Sequence, residues 1–193
     1  LIDQIMAHYE KLVNALKEQN HERSAFEASW LAHAIVDGLT PAHHFPYEEE
    51  LEKLRGEGKE TRDTIFKKVV IPGTSALDVF AKNWEMWGVK GLFTTHALFE
   101  MGAAMIMAPM TYRIAEPNKY EIKKVQQIGL IEFFKRTARE VALLNMYDDF
   151  YKRGWTPKLA KTVRLDLAPK MAKSVTLAWF MAAKEAKITT AEI

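Results

Sequence analysis

Apolar positions recur along this chain with the period of an α-helix. Ile2, Ile5, Met6, Tyr9, Leu12, Val13 and Leu16 fall at i, i+3, i+4 and i+7 spacing, which is one stripe on a helix. Asn20 and His21 read as its end. Ser24-Ala-Phe-Glu27 has the form of a capping box and predicts a second helix from there to just short of Pro41. The two prolines of 41–47 predict an ordered or extended loop. A short polar helix over 47–55 is closed by Gly56 and Gly58, and 64–71 is rich in β-forming residues without a partner strand. Ser75 with Asp78 opens a long helical pattern to about Ala108, which Gly88 and Gly91 bend or split. Asn118 with Glu121 opens a further helix, apolar at Val125, Ile128, Ile131, Phe134, Val141 and Tyr147 and closed by Gly154. Thr156-Pro157 starts another, and Pro169 restarts it for a last apolar stretch at 175–183.

The pattern predicts an all-α fold: a single domain over 1–193, a bundle of about five to seven helices, with a loop-rich excursion at about 44–74. Without periodicity to separate them, Trp84, Trp87 and Phe93 read as core or as the lining of a cleft, and Met101, Met105, Met107 and Met110 as fillers of core gaps.

Composition narrows the chemistry. The chain has no cysteine and six histidines, so disulfides, thiolate metal sites and cysteine nucleophiles are excluded, and a metal would rest on His and carboxylate ligands. The net charge of +2 hides an uneven spread. Residues 1–60 carry 6 Lys/Arg against 12 Asp/Glu, whereas 113–173 carry 14 against 7. The basic segment is either a set of solvated helix faces or a surface for an anionic partner. No apolar stretch has the length of a membrane span. The chain opens on Leu1 with no signal-peptide pattern, as a processed or excised piece would.

Two helices carry chemistry. The run 28–36 is apolar apart from Ser29 and His33, and Asp37 follows it four residues after His33, so the two share a face of a helix expected to be buried on most sides. Pro41 ends that helix, and His43 can fold back toward its end. His96 and Glu100 repeat the four-residue spacing on the long apolar helix, where Glu100 is expected to avoid water. Such pairs serve as hydrogen-bonded core residues or as zinc ligands. Imidazole and carboxylate donors from two helices can hold zinc with one position left for water.

The stretch WLAHAIVDGLTPAHH resembles the zinc-dependent phospholipase C family, whose all-α fold is shared with the single-strand-specific zinc nucleases. The family carries His-x3-Asp, five residues and a His, then His-x3-Glu or Asp. Here these are His33, Asp37, His43, His96 and Glu100. The resemblance implies that His43, His96 and Glu100 hold one zinc, that His33 and Asp37 belong to an adjacent second site, and that Asp37 bridges and serves catalysis. It implies a metal-activated water attacking a phospholipid or other phosphodiester, in an exported or cell-surface protein. Residues 44–95 separate the two blocks, a longer interval than in the family. Position 1 is Leu where the family has a coordinating Trp, and upstream only His8, His21 and Asp3 are available. A non-catalytic binding module with a structural metal site, and a metal-dependent nuclease using 113–173, stand as alternatives.

Overall fold

The computed structural model describes residues 1–109 and 117–188. Among them there is no strand, and six helices run to twelve residues or more. Met110 and the start of the basic segment lie outside the described residues.

Helix α1 (Ile2–Lys17) ends where Gln19 turns left-handed at φ 54° and the Asn20 N–H returns to the Ala15 carbonyl at 2.9 Å. The chain reverses there, and α2 (His21–Leu39) packs along α1. Asn20 is the cap of α2: its side chain accepts from the Arg23 N–H at 3.0 Å. The Ser24 capping box therefore does not form, and Ser24 lies one turn inside the helix. Pro41 stops α2, and a 3-10 turn (Pro41–His44) follows.

Helix α3 (Tyr47–Arg55) ends on Gly56 at φ 75°. The β-rich stretch is instead the short helix α4 (Ile65–Val69), capped by the Thr64 hydroxyl. Ser75 caps α5 (Ala76–Trp87), and the Gly88–Gly91 link splits it from α6 (Leu92–Met107). The expected 119–154 helix is three: α7 (Lys119–Ile128), α8 (Leu130–Ala142) and α9 (Met146–Arg153). Gly129 at φ 80° and Asn145 at φ 48° break it, both in backbone conformations that no α-helix continues through. The Asn118–Glu121 capping box forms as expected. Helix α10 (Pro157–Thr162) passes through a π-helical turn (Val163–Leu167) into α11 (Ala168–Glu185).

The main core joins α1, α2, α6, α8, α9 and α11 through Ile5, Leu31, Ile35, Leu39, Phe99, Phe134, Val141, Met146 and Ala178. Burial of this apolar stripe, rather than helix propensity, holds the short helices in place. Phe99 is fully buried and packs its ring against Tyr147, Phe150 and Trp155, with centroids 5.4–5.5 Å apart. The excursion has its own small core of Leu51, Ile71 and Met86. Buried Arg55 donates to the Val70 carbonyl and pairs with Glu57, which ties α3 to the strand-like segment after α4. Trp84, Trp87, Phe93, Met101 and Met105 are exposed, so these apolar side chains do not form the core the sequence suggests.

Candidate metal centre

Phe99 fixes the inner face of α6, and that sets where its chemistry points. His96 and Glu100, three residues before and one after, stand on the neighbouring flank. The 3-10 turn after Pro41 brings His43 to the same place. The result joins two segments far apart in sequence: His43 Nε2 lies 2.8 Å from Glu100 Oε1, and His96 Nε2 lies 3.2 Å from the same oxygen. The two imidazoles are stacked, 14° from parallel, with centroids 5.2 Å apart. One donor atom from each of the three residues lies within 4.8 Å of the others.

The hydrogen bonds assign the ring of His43. Its Nδ1–H donates to the backbone carbonyl of Asp37 at 3.0 Å, and a carbonyl can only accept. In the neutral ring the Nε2 lone pair then faces the Glu100 carboxylate. Two acceptors at 2.8 Å repel, so a proton or a cation belongs between them. A backbone carbonyl holding the far nitrogen of a histidine is also the usual outer support of a metal ligand. His96 is held below the usual imidazole range by burial, reinforced by His43 and opposed by the Glu100 carboxylate. It is therefore neutral at pH 7, the form that ligates. Its Nδ1 is buried without a partner.

The donor set fits zinc. Nitrogen and oxygen ligands at 2.0–2.2 Å make a tetrahedron with edges of about 3.4 Å, against 2.8 and 3.2 Å from Glu100 to the two imidazoles here. Three protein ligands would leave a fourth position for water, and Glu100 is partly exposed rather than sealed from water as its apolar helix suggested.

The other two residues of the motif sit beside this cluster and do not enter it. Asp37 contributes its backbone carbonyl, and its carboxylate Oδ1 is 3.6 Å from His43 Nδ1. His33 is 63% exposed and 3.8 Å from Asp37 Oδ2, too far for a hydrogen bond. This face of α2 is solvated, not buried as expected. His44 is engaged with the Gly38 carbonyl. His21 is exposed at the start of α2.

Two residues near the site carry no motif signal. Tyr47 and Tyr147 flank His96, with ring centroids 5.3 and 6.4 Å away. Burial chiefly, helped by Tyr47 and Glu100, pushes Tyr147 up to about 12, so it keeps its proton. Glu27 is fully buried, 2.5 Å from His8 Nδ1 and paired with Arg23. The sequence reads Glu27 as a capping acid, but with Asn20 as the cap it faces His8 across the α1–α2 interface. His8 turns inward, as its place beside Tyr9 and Leu12 allows, and meets Glu27 rather than the His43 cluster. In the basic segment, Lys170 pairs with Glu140, Lys173 with Glu121, Arg136 with Glu132 and Arg153 with Asp149.

No family model, no curated protein and no solved structure matches the chain.

Proposed function

We propose that the protein is a zinc-dependent phosphoester hydrolase similar to phospholipase C, with His43, His96 and Glu100 as the zinc ligands. The convergence of these three side chains from the Pro41–His44 turn and α6 supports the reading most directly. Zinc bound there would supply a water of lowered pKa and would polarise a phosphoryl oxygen. Asp37 orients His43 through its backbone carbonyl, and its half-exposed carboxylate would be the proton acceptor in such a reaction. A centre with three protein ligands would keep a fourth position for water, as a catalytic site needs.

The test is metal content and turnover together. Protein purified without chelator is expected to carry one equivalent of zinc and to hydrolyse a chromogenic phosphocholine ester. The double variant His96→Ala/Glu100→Ala is expected to lose both. A parent protein with no stoichiometric divalent ion overturns the metal reading. Stoichiometric zinc without turnover, on phosphocholine esters or on nucleic acid, leaves a structural metal site instead.

A further inference from the structure

Helix α5 is amphipathic in the inverted sense. Its inner face is spent on the small core: Met86 is buried, and the Asn83 amide exchanges hydrogen bonds with the Ile71 backbone at 2.9 and 3.0 Å. Its outer face carries Leu77, Phe80 and Trp84, which are 82, 68 and 60% exposed, with Phe80 and Trp84 stacked. Trp87 continues the stripe. Its indole N–H donates to the Val69 carbonyl at 2.8 Å, which sets the end of α4, a helix with exposed Ile65, Phe66 and Val69, beside the stripe, and its ring packs on Phe93 at 4.6 Å. A contiguous aromatic and aliphatic surface of this kind marks an interaction site.

Its charges select the partner. Residues 64–93 carry Lys67, Lys68, Lys82 and Lys90 against Asp78 and Glu85. Asp63 pairs with Lys67, and Asp78 with Lys82. Glu85 has no basic partner among the described residues and Lys68 and Lys90 have no acidic one, which leaves the lysines in excess by one. A layer of anionic headgroups matches them, with Trp and Phe rings seated at the headgroup–acyl boundary and lysines reaching the phosphates.

We propose that the α4–α5 surface docks the protein on an anionic phospholipid bilayer as a peripheral, non-spanning contact. The placement suits the metal centre. Phe93 opens α6, and at 1.5 Å per residue His96 lies about 4.5 Å further along the axis. Docking thus brings the proposed ligands of α6 close to the headgroups.

The experiment is co-sedimentation of the full chain with vesicles of equal parts phosphatidylcholine and phosphatidylglycerol, in chelator so that no lipid is consumed. Binding is expected to exceed that to pure phosphatidylcholine and to weaken with salt. Leu77→Glu, at a position too exposed to affect folding, should weaken it about tenfold or more, as loss of one buried large apolar side chain would. Phe80→Ala/Trp84→Ala should act in the same direction. Lys68→Gln and Lys90→Gln should each cost about fivefold. His96→Ala/Glu100→Ala should bind as the parent does, so this inference and the metal reading fail separately. Absence of vesicle binding overturns the proposal. So does binding unchanged by Leu77→Glu, or a dimer in solution that Leu77→Glu dissociates.

Discussion

Glu100→Gln separates the two roles its carboxylate could play. As an ion-pair partner of His43 it contributes little, because Glu100 is 40% and His43 31% exposed, and such pairs are worth about 0–1 kcal/mol. For a chain of this length a change of 1 kcal/mol moves the melting midpoint by roughly 2–4 °C. The metal-free variant should therefore melt within about 4 °C of the parent. As a zinc ligand the same carboxylate contributes far more. Zinc at a hundred times its dissociation constant stabilises the folded chain by about 2.7 kcal/mol. That corresponds to a rise of roughly 5–11 °C in the parent. The amide of Gln keeps the shape and loses the charge and most of the affinity for zinc, so the rise should shrink toward zero.

The assay is thermal denaturation followed by circular dichroism, with chelator and then with zinc added, at a pH where His96 is neutral. A parent midpoint that ignores zinc refutes the argument. So does a zinc-induced rise of equal size in Glu100→Gln, which would place the ion elsewhere. His33→Gln serves as the control. With its ring out at the surface, it should leave the rise intact.

Three further outcomes follow from the packing and the charges. Because the folded pKa of His96 is depressed, the unfolded chain binds its proton first on acidification; stability is held above about pH 6.5, the ordinary imidazole value, and lost as pH falls below it toward the folded value. Chelated His96→Gln should show a shallower fall over that window in midpoint against pH. Gly102→Ala should lose about 1–3 kcal/mol in urea denaturation, because a Cβ there would meet the Trp155 indole at 2.1–2.6 Å. His8→Ala should cost about 1–3 kcal/mol by stripping the buried Glu27 of a partner, and adding Glu27→Leu should recover most of that loss, since removing both members of a buried polar pair is nearly neutral. A double variant no more stable than His8→Ala alone would show that the pair is not what the single change broke.

What the sequence could and could not disclose follows from the range of each interaction. His96 and Glu100 were readable as a pair because a helix guarantees their adjacency, and the Pro41 stop made the return of His43 toward α2 readable by the same local geometry. Their meeting was not readable. It depends on α6 being seated by Phe99 against Tyr147, Phe150 and Trp155, contacts between residues 48 to 56 apart that leave no period in the sequence. The same limit explains Glu27. Ser24 and Asn20 are both good caps three residues ahead of a plausible first turn, and only the reversal at Gln19, fixed by the packing of α2 on α1, decides between them. It explains the α5 surface as well. Leu77, Phe80, Trp84 and Trp87 share one stripe whether that stripe faces a core or a bilayer, and periodicity carries no sign. The sign comes from Met86 and Asn83 on the opposite face, which bind α5 to Ile71 and turn the aromatic stripe outward. A chain that buries the smaller side of an amphipathic helix and exposes the larger accepts an unfavourable hydration term in isolation. Covering that surface would return it, which is why the vesicle experiment bears on stability as well as on partner: vesicles that cover the patch should raise the melting midpoint of the parent and leave Leu77→Glu where it was.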